Sequence, residues 1–150
     1  MSRARLRVYP PVVYGLGLLI ALVGHLLLPL SLPHLWWLRA IGALLIAASM
    51  ALAAWTAATF TRARTTVHPF HEASTLVTDG PFRFSRNPIY LGFTTATIGV
   101  ALTAASWWPV FVLPVIGWVM EGIIVWEERM LSRVFGPAYE AFSRRTRRWI

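Results

Sequence analysis

Four apolar runs constrain this chain more than any other feature. Residues 12–30, 35–60, 88–105 and 107–126 are each long enough, or nearly so, to cross a bilayer, which takes about 20 helical residues. Hydrocarbon obliges such a segment to satisfy its own backbone hydrogen bonds, as a helix does. The pattern predicts an all-α integral membrane fold with four transmembrane helices. A cytoplasmic loop over 61–87 and amphipathic C-terminal helices over 127–150 complete one membrane domain, 1–150. With 57% of residues apolar and 13% charged, the chain is unlike an ordinary soluble domain.

The charges then orient the spans. All fourteen basic residues are arginines, a balance that would suit nucleic acid if it lay on one soluble face. Thirteen of them instead fall in three segments that share a side when all four runs span; only Arg39 lies on the other. This positive-inside pattern puts both termini in the cytoplasm, in a bacterial-type inner (plasma) membrane, with anionic lipid and not nucleic acid as the contact. Arg3, Arg5 and Arg7 before the first run imitate a signal peptide. The run is long for that role, and no small-x-small cleavage site follows it, so it reads as a retained first helix. Cysteine is absent, which excludes thiolate metal sites, disulfides and cysteine nucleophiles.

Trp36, Trp37, Trp107 and Trp108 mark the outer interface, where Arg39 can snorkel. Ala47, Ala48, Ser49, Ala51, Ala53, Ala54, Ala57 and Ala58 predict close helix packing in lipid, and Gly15-Leu16-Gly17 reads the same way. His25 reads as a polar group bonded to a neighbouring helix, and Pro114 as a bend or a freed carbonyl in the fourth run. The outer loops are short and uncharged, so the chemistry lies on the cytoplasmic side.

There, a Gly/Pro-punctuated loop, 74–87, runs into the third span. Asn87 before Pro88 predicts an N-cap and a first helical turn. Arg83, Arg86 and the helix-start donors offer a seat for an anion; the same residues also fit a capped turn held to the membrane surface. Beyond Trp126 the fourth helix continues through Glu127 and Glu128 and stops at Gly136-Pro137. Tyr139, Phe142 and Trp149, spaced among Arg144, Arg145, Arg147 and Arg148, predict a basic amphipathic helix lying on the membrane surface. Glu127 and Glu128 point about 100° apart on a helix, so one can face a pocket while the other pairs with a loop arginine. Glu121 lies two turns earlier on the face of Glu128, within the span, where an acid is either paired, neutral and hydrogen-bonded, or functional. His68-Pro-Phe-His71-Glu72 matches no metal-ligand spacing, and no metal is expected.

Taken in order, Thr75-Leu-Val-Thr-x-Gly80-x-Phe82, Arg86-Asn-Pro-x-Tyr90-x-Gly92 and Glu127-Glu128-x-x-Leu131-x-x-x-Phe135-Gly136-x-x-Tyr139 resemble the isoprenylcysteine carboxyl methyltransferase family. That family shares its membrane fold with phospholipid methyltransferases. The resemblance covers roughly 74–142. It implies a membrane methyltransferase that uses S-adenosylmethionine at the cytoplasmic face and takes a lipid-like acceptor from the bilayer. Carried over, the cofactor would be held by Ser74, Thr75, Leu76, Val77, Phe82, Asn87, Pro88, Tyr90 and Glu127. Arg86, Asn87 and Glu128 would serve the reacting groups, and Glu128, His68 or His71 would take a proton from an amine or thiol acceptor. Two positions depart from the family: its Arg-His-Pro is Arg86-Asn87-Pro88 here, and an arginine that contacts a prenylcysteine carboxylate is replaced by Ile123. The acceptor is therefore a carboxylate, amine or thiol on a lipophilic molecule. Two other readings stand beside this one: a four-span transporter with Glu121 as its coupling acid, and a nicotinamide-dependent lipid reductase of the related sterol-reductase group.

Overall fold

A computed structural model describes residues 9–63 and 75–150. Its five helices are α1 (Pro10–Leu27), α2 (Trp36–Arg62), α3 (Pro88–Thr103), α4 (Trp108–Phe135) and α5 (Pro137–Arg145), with a short 3₁₀ turn at Gly80–Arg83. Proline opens α1, α3, α4 and α5 in the first turn, where its missing N–H leaves no hydrogen bond unmade. Of the four spans expected, three are helices of spanning length and the other is a shorter apolar helix, Pro88–Thr103. Three helices, α1, α2 and α4, are long and apolar enough to cross a membrane. The third run stops at Thr103 because Ala104 and Ala105 turn the chain, Ala105 at φ 50°. Its 16 residues reach only about 24 Å, against about 30 Å of hydrocarbon.

What α3 lacks in length it recovers in packing, because it touches all three long helices. Against α2 the contact is backbone to backbone. A Cβ on Gly99 would stand 2.8 Å from the Gly42 carbonyl oxygen, and one on Gly92 would meet that of Ser49 at 3.7 Å. Gly42, Ser49 and Thr56, spaced every seventh residue, are the buried positions of α2. Ser49 and Thr56 donate their hydroxyls to the Leu45 and Leu52 carbonyls at 2.7 Å, so they enter the contact already satisfied. The alanine patch does not make this contact: Ala47, Ala48, Ala51, Ala53, Ala54, Ala57 and Ala58 are exposed. Small side chains there fall off the one seven-residue stripe that faces α3.

On its other side α3 meets α1 and α4. Tyr14, Tyr90, Ile116, Met120 and Ile124 form the core, and the Tyr14 hydroxyl lies 2.7 Å from Thr94 Oγ1. The outer turns clasp one another: Leu32 N–H donates to the Ala105 carbonyl at 2.8 Å, and Trp107 N–H to that of Leu30 at 3.0 Å. His25 Nδ1 lies 3.1 Å from Ser106 Oγ in this clasp, a partner on the turn ahead of α4. Arg39 does not merely snorkel; it lies 2.8 Å from His34 Nδ1.

The opposite end gathers the C-terminus of α2, the start of α3, the foot of α4 and α5. Gly136, at φ 49°, breaks α4 from α5. The amphipathic helix expected through Trp149 ends at Arg145. Thr146 is extended, and residues 146–150 form a strap folded back onto the bundle.

Candidate active site

The site is built where α3 begins. Pro88 fixes the first turn and is fully buried, and two residues later Tyr90 faces α4. Its hydroxyl donates to Glu127 Oε2 at 2.9 Å, joining the start of α3 to the foot of α4. The neighbouring carboxylate turns the other way. Glu128 Oε1 accepts from Arg86 Nη1 at 2.9 Å, with both side chains 17% exposed. The division of labour expected from helical spacing is thus present: Glu127 faces inward and Glu128 pairs with the loop arginine.

Arg148, on the strap, completes the cluster. Its Nε and Nη2 donate to the two Glu128 oxygens at 3.1 and 2.7 Å, while Nη1 reaches Glu121 Oε1 at 2.5 Å. The Glu128 carboxylate holds the Arg148 guanidinium above its ordinary pKa, so it remains a cation. Glu121 is thus paired with an arginine of the strap. Both oxygens of Glu128 are taken by guanidiniums, which suits it to fastening the foot of α4 more than to accepting a proton. Tyr139 of α5 lies beside Arg86; burial raises its pKa and the Arg86 hydrogen bond opposes that rise. Arg86 Nε is buried with no hydrogen-bond partner among the described residues, an unmet donor at the heart of the site.

Asn87 stands at the N-cap position of α3, where its carbonyl accepts from Leu91 N–H at 3.0 Å, but its side chain makes no cap hydrogen bond. Nδ2 instead donates to the Arg148 carbonyl at 3.0 Å. Ser85 Oγ donates to the same carbonyl at 3.3 Å, and Arg86 N–H to that of Arg147 at 2.9 Å. The loop and the strap are therefore laced together by main-chain carbonyls. Arg86 turns Nη1 to the Glu128 carboxylate and leaves Nε without a partner among the described residues.

Thr75, Leu76 and Val77, with residues 78–80 and Trp55, Thr59, Arg62 and Ala63 of α2, line a cavity of about 320 Å³. Glu127 is not among the residues that line it. Phe82 packs its ring edge-on to Phe60 of α2, with centroids 5.3 Å apart. The expected cofactor residues thus form two groups: 75–77 and Phe82 at the end of α2, and Asn87, Pro88, Tyr90 and Glu127 between α3, α4 and the strap. Trp55 and Thr59 were hidden in what reads as plain span, and Arg62, expected in the cytoplasmic loop, is the last residue of α2. Ser74, His68, His71 and Glu72 lie outside the described residues, among which no three potential metal ligands converge.

Comparison with known proteins agrees with this geometry. No curated protein and no solved structure gives a significant match. A family model for phospholipid methyltransferases, however, matches residues 37–138, from the start of α2 into α5 and through both halves of the site. Tyr90 and Glu127, brought together at 2.9 Å, fall within that stretch, and the chain belongs to the phospholipid methyltransferase family.

Proposed function

We propose that this protein transfers a methyl group from S-adenosylmethionine to a lipophilic acceptor that reaches the site from the bilayer. The arginine-rich end of the bundle then faces the cytoplasm, in a bacterial-type inner (plasma) membrane. The observation that carries the reading is the Tyr90–Glu127 contact, which joins two motifs 37 residues apart in sequence into one mostly buried polar site. The residues present fit the cofactor. Glu127 can accept from an ammonium group or from ribose hydroxyls, and the unmet Arg86 Nε can donate to a carboxylate. The aromatic face of Tyr90 suits a sulfonium. The cavity against α2 falls within the range of small-molecule sites, about 300–1,000 Å³, and Thr75, Leu76 and Val77 line it.

When bound, the cofactor supplies a methyl group already activated on sulfur. The protein's own residues then have to align the acceptor and keep water out, tasks worth several kcal/mol. Tyr90 and Glu127 would fix the donor end, and Arg86 would hold Glu128 and the loop in register. Asn87, where the family has histidine, can hydrogen-bond but cannot move a proton. An amine or thiol acceptor would therefore lose its proton to another carboxylate or to water.

The test is transfer of label from methyl-labelled S-adenosylmethionine into solvent-extracted lipid by purified protein in vesicles. Label that appears with the wild type and disappears in Glu127→Gln supports the reading. A wild type that labels no lipid, or that retains a nicotinamide nucleotide on purification, overturns it.

A further inference from the structure

The residues offered to the cofactor are shut from water. Tyr90 and Asn87 are 7% and 8% exposed, and the unmet Arg86 Nε is buried. S-adenosylmethionine carries charge on its sulfonium, ammonium and carboxylate, so it arrives through water and not through hydrocarbon. A covering element therefore has to move aside. The helices resist this: α3 meets α2 backbone to backbone, and α1, α3 and α4 share one core. The strap, residues 146–150, is held differently. It belongs to no helix. Its Arg148 carbonyl accepts from Ser85 Oγ and Asn87 Nδ2, and its Arg147 carbonyl from Arg86 N–H. Its Trp149 packs against the core cluster that contains Tyr90. The strap thus lies on the residues that a cofactor would contact.

We propose that the strap is a lid over the cofactor and that Glu121 is the latch of that lid. The lid rests on the methyltransferase reading and adds to it how the cofactor enters and leaves. Arg148 bridges two acids with unequal grip. Nε and Nη2 donate to Glu128, whose side chain is 17% exposed and which Arg86 also holds. Nη1 reaches Glu121, whose side chain is 47% exposed, so water screens that pair. Among the described residues Glu121 bonds Arg148 and none of the residues assigned to the cofactor. Neutralising Glu121 therefore loosens the lid and leaves the seat beneath it intact. The screened Glu121 bond sets how often the strap lifts, and Glu128 guides it back into place.

Exchange kinetics of labelled adenosylhomocysteine in detergent separate a lid from a fixed wall. The latch acts alike on the empty and the occupied site. Glu121→Gln should therefore raise the association and dissociation rates together, each about two- to five-fold, the range of an exposed ion pair. Kd should stay unchanged. A wall loosened by the same change would lose ligand faster without admitting it faster, and Kd would rise. That result, or unchanged rates, overturns the lid and leaves the methyltransferase reading standing. A wild type that binds no adenosylhomocysteine overturns both.

A second measurement keeps Glu121 and reports the motion directly. The chain has no cysteine, and Thr146 is 6% exposed at the base of the strap, so Thr146→Cys reports opening through its maleimide reaction rate. At about a hundred times its Kd, adenosylhomocysteine should slow that reaction at least about ten-fold, because bound ligand depletes the open form by mass action. Ser106→Cys, at a buried position in the outer clasp, should keep its rate. Equal slowing at both positions, the mark of general stabilisation, or no slowing at position 146, overturns the proposal.

Discussion

Replacing Arg86 by glutamine tests whether the loop–helix ion pair is structural, and the protein contains its own control. Arg86 and Glu128 meet at 2.9 Å with both side chains 17% exposed, whereas Arg144 and Glu140 meet at 3.8 Å with 81% and 59% exposed. Exposed pairs contribute about 0.2–1 kcal/mol, and removing one partner of a buried pair costs about 3–5 kcal/mol. Arg86–Glu128 falls between these limits. Glu128 also keeps two hydrogen bonds from Arg148, so its charge is not orphaned. Arg86→Gln should therefore cost about 2 kcal/mol, and Arg144→Gln less than about 0.5 kcal/mol. In an Arg148→Gln background the Arg86→Gln cost should rise to about 4 kcal/mol, since Glu128 then has neither cation and the two changes cease to be additive. Equilibrium unfolding in mixed micelles measures the three single variants and the double variant against the wild type. An Arg86→Gln cost no greater than that of Arg144→Gln, or strict additivity with Arg148→Gln, would refute the reasoning.

Other outcomes follow from the packing and the site. Gly99→Ala should destabilise by about 1–3 kcal/mol, because its Cβ would lie 2.8 Å from the Gly42 carbonyl and from Ile46 Cγ1; Gly15→Ala, with open space around it, should not destabilise. Thermal unfolding of the two variants side by side checks this. Tyr90→Phe removes the donor 2.9 Å from Glu127 Oε2. It should weaken adenosylhomocysteine binding about ten-fold, and an unchanged affinity would place Tyr90 outside the cofactor site.

Much of this arrangement can be read in the sequence because it follows from local rules. Asn87-Pro88 had to begin a helix, since proline tolerates only the first turn. Successive glutamates on a helix had to diverge, so Glu127 and Glu128 could not share one partner. The paired tryptophans marked the outer turns that do clasp one another. Features set by non-local contacts were hidden. The strap binds in part through the carbonyls of Arg147 and Arg148, groups every residue carries, and in part through the Arg148 side chain, which the sequence does not set apart from Arg144, Arg145 and Arg147. Its Trp149 continues the aromatic spacing of Tyr139 and Phe142, and that spacing mimics a surface helix. Alanines suggested the α2 contact by composition, whereas the seven-residue register of Gly42, Ser49 and Thr56 against Gly99 and Gly92 decides it. Asn87 does stand at the N-cap position, but the carbonyl its amide meets, that of Arg148, is 61 residues away and could not be foreseen.

Calorimetric titration of adenosylhomocysteine into the detergent-solubilised wild type and into Glu127→Gln tests the central claim most directly. The account predicts saturable binding to the wild type and an affinity at least about thirty-fold weaker in the variant, the loss of a charged hydrogen-bonding partner. Equal affinities, or no binding to the wild type, would contradict it.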